Sequence, residues 1–541
     1  MSRILTVIGV CLIFMPWQAS LATGQAPPEA IRAELERLRE SGHISVDSVQ
    51  ITAVDLIGKV YERRGFASGW GASGKVESLL AVIRASYLDG LNPADYHLAE
   101  IEQIQHSVAT GRQLSTGELA SFELMLTDSL IRLTYHHRYG KVDLESRDAA
   151  WAFSRPIGAK DASLVIQEML DAETVADAIL SAAVQDPGYQ RLKAALQRYR
   201  ELAVDGGWPE VPSGPTIRPA SVDPRLAILA RRLAISGDLA DGQTWVESSG
   251  YDTVLQTAVS RFQARHGLEV DTLVGRATLR ALNVSVEQRI DQIRVNLERA
   301  RWRFYAGAED FILVNIAGFK AYVVRDGEIV WTAKVIVGDP ENETPVFSAA
   351  LKYVVVNPKW TVPYKIASEE LLPDIKQDPD FFTKGNYQLF DADGGVVDPT
   401  SVDWSSIRTG NFPFTLVQKP CFANELGRIK FIFPNEYSVY MHDTPGKSLF
   451  TKAKRAFSHG CIRVDAPLGL AEAVLDGEGW SREQIESQIG SGETRTVILS
   501  EPLQVFIFYW TAEVDDQGLI NFYDDIYERD ATVLESLDRE R

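Results

Sequence analysis

The 541-residue sequence contains little cysteine: Cys11, Cys421 and Cys461 are all it has. That scarcity excludes a disulfide-stapled scaffold, which needs many paired cysteines in a short chain. His442, His459 and Cys461 also lack the paired Cys-x-x-Cys or His-x-x-x-His spacing of a zinc site, so neither a metal nor a cofactor is expected. Cations are in deficit, 55 Lys and Arg against 74 Asp and Glu, for a formal net charge of −19. A broad basic face for nucleic acid is therefore excluded. Long apolar runs are missing too, since Ile4–Met15 falls short of the roughly 20 residues that span a bilayer. What remains is a globular composition, 45% hydrophobic and 24% charged, in a chain long enough for several domains.

The N-terminus reads as a secretory signal peptide over residues 1–22. Arg3 supplies a positive start, Ile4–Met15 is apolar apart from Thr6, and Pro16 precedes small residues ending Ala19-Ser20-Leu21-Ala22. An uncleaved membrane anchor is the alternative at this point. Export would remove Arg3 and Cys11, leaving an acidic protein with two thiols in an oxidising compartment.

From about 28 to 205 the apolar spacing is helical: Ile31, Leu35 and Leu38 share one face, as do Leu79, Leu80 and Ile83. Pro and Gly cluster over 206–224, marking a linker or domain edge. A second helical block follows, with Leu255, Val259 and Phe262 at helical spacing, Gly267 as a stop and Thr278–Leu282 starting another helix. After Trp302 the texture turns to strands. Phe311–Ile316 is one run, and Ala321–Val324 and Glu328–Val337 flank Asp326-Gly327, a strong hairpin signal. Lys352–Val356, Arg428–Phe433, Tyr437–His442, Thr496–Leu499, Val505–Thr511 and Leu519–Phe522 continue the β region. Residues 365–413 interrupt it with one short helix at Ser368–Leu372; nearly fifty residues is too long for an ordinary loop and predicts a lid or subdomain.

The chemistry concentrates near Cys461. Alternation over Tyr437–His442 places Tyr440 and His442 on one side of a strand. Downstream, Ser458-His459-Gly460-Cys461-Ile462-Arg463 puts a thiol directly after a glycine, which lets backbone amides turn toward a developing oxyanion. Residues 447–463 hold Lys447, Lys452, Lys454, Arg455 and Arg463 with no acid among them. Such a stretch favours thiolate and attracts carboxylates, although a solvated charged face and a buried or disulfide-bonded cysteine fit the residues as well.

His442 followed by the Ser458-His459-Gly460-Cys461-Ile462-Arg463 box resembles the signature of the L,D-transpeptidase catalytic domain. Asn357-Pro358-Lys359-Trp360-Thr361-Val362-Pro363, the run 424–431 and Phe508-Tyr509-Trp510-Thr511-Ala512 resemble the large periplasmic members of that family. The run 258–268 with 275–279 is similar to a small peptidoglycan-binding module, and 85–98 to the helical scaffold of such enzymes. Two departures stand out: Asp271-Thr272 occupies the place where the module usually has Asp-Gly, and Cys421 the place of a common Gly. The first puts that turn in question; the second raises a disulfide or redox switch with Cys461 if the two thiols lie close.

The resemblance implies a multidomain α+β chain: residues 1–22 the signal peptide, 23–223 an all-α scaffold, 224–303 the binding-like module, and 304–541 a mostly-β catalytic domain with its lid at 365–413. It implies that Cys461, deprotonated by His442, attacks the bond between the third residue (a diamino acid) and D-Ala at position four of a peptidoglycan stem. The acyl group then passes from the thioester to an amine, giving a 3→3 crosslink. Gly460, Tyr440, Asp443 and Ser458 would support the oxyanion and the box, with the Asp443 carbonyl orienting His442, while Arg463, His459 and Trp360 would meet substrate. Partners would be stem tetrapeptides, a diamino-acid or D-amino-acid acceptor and cell-wall synthases, in the periplasm, and a carbapenem would acylate Cys461. Hydrolysis, exchange, or attachment of protein to the wall at the same bond are alternatives that share the box.

Overall fold

The computed structural model describes residues 24–44, 49–72, 74–142, 157, 160–240, 242–303, 309–515 and 517–539. The expected signal peptide and Cys11 lie outside these residues. Two compact units emerge, one from the residues up to 186 with 535–541, the other spanning 187–534. No described helix is long and apolar enough to cross a membrane.

The first unit is helical. Its central helix, Thr116–Tyr139, opens on a capping box between Ser115 and Glu118 and is buried continuously from Ala120 to His137. Polar groups on so deep a helix need partners. Glu123 accepts from Tyr61 Oη at 2.8 Å, and Asp128 from the Ala53 amide at 2.9 Å and pairs with His97. The helices Pro28–Ser41, Val54–Arg63, Lys75–Ala85, Ala162–Asp171 and Val175–Ala182 supply the surrounding apolar faces.

In the second unit the helix Pro187–Val204 packs on Val286–Arg303. Three short helices, Leu226–Ile235, Thr253–Arg265 and Arg276–Leu282, enclose a small core around Phe262. The Pro/Gly-rich segment is not a free linker. Val211 and Ile217 are buried in that core, Asn283 exchanges two hydrogen bonds with the Val211 backbone, and Trp208 Nε1 donates to the Val284 carbonyl at 3.1 Å. Thr272 takes the left-handed conformation (φ 63°) that the usual glycine would adopt. The turn survives because the Gln263 side chain accepts from the amides of Asp271 and Thr272 and donates to the Leu273 carbonyl.

The β region closes on itself. In chain order the strands are β1 (Phe311–Asn315), β2 (Lys320–Arg325), β3 (Glu328–Gly338), β4 (Phe347–Val356), β5 (Trp360–Thr361), β6 (Tyr387–Phe390), β7 (Val396–Val397), β8 (Thr415–Gln418), β9 (Ile429–Ile432), β10 (Met441–His442), β11 (Ala456–Ser458), β12 (Ile462–Val464), β13 (Arg495–Phe508), β14 (Ala512–Val514) and β15 (Ile520–Phe522). The main sheet runs β11-β3-β12-β10-β9-β4-β13-β1-β2, and β2 also pairs with β3, so the strands from β3 round to β2 close a ring with β11 attached to β3 alone. Asp326-Gly327 makes the expected hairpin, with Arg325 opposite Glu328. The two strands expected over 496–511 are one, β13, with a register shift between Ile498 and Leu503.

The second sheet, β5-β8-β6-β7, is wider than the expected insertion: β6 and β7 lie within 365–413, β5 and β8 flank it, and together they cover a separate apolar core that includes Leu389, Phe412 and Leu416. The insertion's short helix is divided: Ile366–Leu371 is a π-helical turn, and Leu372–Gln377, with Pro373 in its first turn, is α-helical.

Candidate active site

The run Tyr437–His442 is not the strand its alternation suggests; only Met441 and His442 pair. Ser438 has φ 57°, and Asn435 Oδ1 accepts from the Tyr437 and Val439 amides at 3.0 and 3.1 Å. The asparagine side chain takes over bonds that a ladder would have used. Met441 is fully buried in the barrel core, so His442 turns to the other face. There it is bracketed in register by Lys430 on β9 and Arg463 on β12. Their neighbours Phe431 and Ile462 point into the core, so the pleat presents Lys430, His442 and Arg463 as one row.

His442 donates Nδ1–H to the backbone carbonyl of Asp443, which fixes the tautomer and leaves the Nε2 lone pair available. Burial, then Arg463, Lys430 and Lys447, push its pKa down to about 3, only partly offset by the Asp443 carbonyl. The ring is therefore neutral at physiological pH. Asp443 is held in turn: its carboxylate accepts from the Arg428 amide at 2.8 Å and from Lys447 Nζ at 2.6 Å. Gly427 allows this approach, since a Cβ there would stand 2.3 Å from the Asp443 carboxylate.

The Ser458–Arg463 box is pinned by its own polar groups. Ser458 Oγ donates to the Cys461 carbonyl at 2.5 Å and accepts from the Gly460 amide at 3.2 Å, while Thr344 Oγ1 donates to the Gly460 carbonyl at 2.8 Å. Gly460 has φ 100°, a conformation that other residues reach only with strain. The Gly460 amide expected at the oxyanion is thus committed to Ser458, whereas the Cys461 amide donates to no described residue. Cys461 Sγ lies 3.9 Å from the Ser438 carbonyl, and the amide and hydroxyl of Tyr440 are turned on it. Burial pushes the thiol pKa up; Tyr440, Lys430 and Arg463 pull it back in part.

No hydrogen bond joins Sγ to the His442 ring in this resting geometry. The parallel ladder pairs His442 with Arg463 and carries the Ile462 amide to the Tyr440 carbonyl at 3.0 Å, so Cys461 faces Tyr440 and lies diagonal to His442. A diagonal neighbour across a ladder, at roughly 7–8 Å, is within reach of a side chain. The Tyr440 and His442 rings lie with centroids 5.6 Å apart on the face that carries Cys461.

The remaining expected residues fall into different settings. Arg463 joins the site row, and its buried Nε has no acceptor. His459 is partly exposed and meets Glu370 of the insertion, Nε2 to Oε1 2.8 Å. Trp360 is 8% exposed and packs within the insertion's core rather than at an open surface. The five-cation stretch does not act as a block. Lys447 is tied to Asp443, and Arg455 is buried, donating to the carbonyls of Val335, Phe319, Lys452 and Ala453. Cys421 and Cys461 are both free thiols. Lys430, Thr344 and Glu370 were not foreseen. Lys430 alone left a signal, a lone cation between Ile429 and Phe431. Among the described residues no His, Cys, Asp and Glu cluster could hold a metal ion.

Comparison with known proteins matches three segments of the chain. The model of the L,D-transpeptidase catalytic domain matches residues 309–489, a scaffold domain 55–196, and a family described as "Putative peptidoglycan binding domain" 223–282. A Haemophilus influenzae protein named "Putative L,D-transpeptidase" is 36% identical over 249 residues, 46% of this chain and 50% of that one. The chain thus spans half the length of that relative. Solved structures of an L,D-transpeptidase from Mycobacterium smegmatis (16% identity, 37% of this chain, 59% of that one, TM-score 0.19) and one from Stackebrandtia nassauensis (13%, 55%, 97%, TM-score 0.21) also align. Residues 309–489 are thus similar to the catalytic domain of the L,D-transpeptidase family, preceded in the chain by segments similar to its scaffold and to the peptidoglycan-binding family.

Proposed function

We propose that this protein is a peptidoglycan L,D-transpeptidase that forms 3→3 crosslinks. The observation that carries this reading is a neutral, tautomer-locked His442 on the same face as Cys461, with Tyr440 against the sulfur. Sγ attacks the carbonyl between the diamino acid and D-Ala of a tetrapeptide stem, and its proton passes to His442 Nε2 as the C–S bond forms. Proton transfer during attack suits this site better than a standing thiolate–imidazolium pair, because burial and the flanking cations disfavour a charged imidazole. The Cys461 amide and the Tyr440 hydroxyl are the donors available to the oxyanion. His442 then protonates the departing D-Ala amine, leaving a thioester on Cys461.

The same reading assigns the protein to the periplasm through its N-terminal segment, gives the peptidoglycan-binding domain the task of holding wall polymer, and makes Cys461 the site a carbapenem acylates. Incubation with disaccharide-tetrapeptide followed by mass spectrometry tests it. A dimer lacking one D-Ala is expected, and no product is expected from Cys461→Ala; tripeptide alone would mean hydrolysis, and a Cys461-independent product would overturn the assignment.

A further inference from the structure

The insertion reaches the catalytic box through Glu370, whose Oε1 lies 2.8 Å from His459 Nε2, two residues before Cys461. Glu370 sits in the π-helical turn Ile366–Leu371, a widened backbone geometry that in helices often marks functional positions. Its side chain is 45% exposed, and Oε2 accepts no hydrogen bond from a described residue. The row beside the thiol is positive: Lys430 and Arg463 flank His442, and the Asp443 carboxylate is already taken by Lys447 and the Arg428 amide. Glu370 therefore offers an exposed carboxylate oxygen, held by His459 two residues before the thiol.

The acceptor of the transfer is a primary amine, which at neutral pH arrives as an ammonium. Cationic surroundings repel it unless a carboxylate receives it. We propose that Glu370 is the acceptor-recognition residue: its carboxylate, aligned by His459, binds the acceptor's ammonium next to the Cys461 thioester. This rests on the transpeptidase reading above and assigns its second half-reaction. The bound ammonium releases one proton to water. The amine lone pair forms a C–N bond at the thioester carbonyl, the C–S bond breaks, and the second nitrogen proton returns through His442 to Sγ, regenerating the thiol. The ammonium comes either from the diamino acid of a second stem or from a free D-amino acid, two sources with one chemistry.

The test uses the full chain with disaccharide-tetrapeptide as donor and two acceptor arms, excess stem or free D-methionine, with acyl-enzyme followed by intact mass. Glu370→Gln should raise the acceptor KM about tenfold, the scale of a lost charge-assisted hydrogen bond, and shift product toward tripeptide. Acylation of Cys461 should change less than about twofold, and Glu370→Asp should recover most of the acceptor affinity. The arm in which KM moves identifies the source of the ammonium. An unchanged acceptor KM in Glu370→Gln overturns the inference while leaving the transpeptidase reading intact. Parallel loss of acylation and transfer in both variants shows a structural role and overturns it too. A wild-type chain that forms no acyl-enzyme defeats the transpeptidase reading itself.

Discussion

The ring of His442 donates its Nδ1 proton to the carbonyl of the very next residue, Asp443. One local bond thereby selects the tautomer whose Nε2 can accept a proton. The rest of the environment keeps that nitrogen unprotonated, since the ring is buried between Lys430 and Arg463. On the transpeptidase reading, the site is a neutral pair that separates charge only in the transition state.

This has a direct consequence for pH. The Cys461 thiol is pushed above the ordinary thiol value by burial, and the His442 ring titrates only near pH 3. In a Cys421→Ser background, iodoacetamide should alkylate Cys461 at a rate that climbs with pH and does not level off below pH 9. A plateau between pH 5 and 7, the mark of a thiolate–imidazolium pair, would contradict it.

Tyr440 carries a hydroxyl whose ionisation burial holds far above its ordinary range, so it stays protonated beside the sulfur. Replacing it with Phe removes that hydroxyl without emptying its space. Tyr440→Phe should slow acylation by about tenfold and move the alkylation profile to still higher pH. Wild-type rates with an unmoved profile would show that the hydroxyl has no part in the chemistry.

Thr272 holds a left-handed backbone conformation that costs a β-branched residue roughly 1–3 kcal/mol. Because Gln263 meets Thr272 through its backbone amide and the rest of the turn at Asp271 and Leu273, a glycine at 272 keeps every one of those contacts. Thr272→Gly should raise denaturation stability by about 1 kcal/mol after the unfolded-state entropy of glycine is subtracted. A drop in midpoint would mean that the side chain, not the backbone, secures this turn.

Thioesters are open to water, and the insertion is well placed to limit that. It supplies β6 and β7 to the second sheet, shares that sheet's core and meets the box at His459. Deleting 365–413 should increase tripeptide relative to crosslinked dimer. An unchanged product ratio would remove any role in excluding water.

The local features were readable from sequence because their causes are local. Asp326-Gly327 dictates its hairpin, alternating apolar residues dictate the barrel strands, and the glycine of the box sits where φ is 100°. Non-local causes were not readable. A side-chain cause escaped as well: Asn435 withdraws residues 437–439 from the ladder by bonding the backbone of Tyr437 and Val439, and no periodicity records that choice. The importance of Lys430 depends on which strand pairs with β10, and that of Glu370 on how the insertion folds back onto His459. Arg455 looked like part of a catalytic charge field, yet it ties backbone carbonyls together inside the barrel wall. The segment 206–224 has a linker's composition but buries Val211 and Ile217.

The central claim is that Cys461 becomes acylated by a tetrapeptide stem. Brief incubation with disaccharide-tetrapeptide, acid quench, and intact-mass analysis with peptide mapping read this step directly. The account predicts an adduct on Cys461 equal to the donor minus D-Ala, absent from Cys461→Ala and greatly reduced in His442→Ala. An adduct on another residue, or D-Ala release at the wild-type rate from Cys461→Ala, would contradict it.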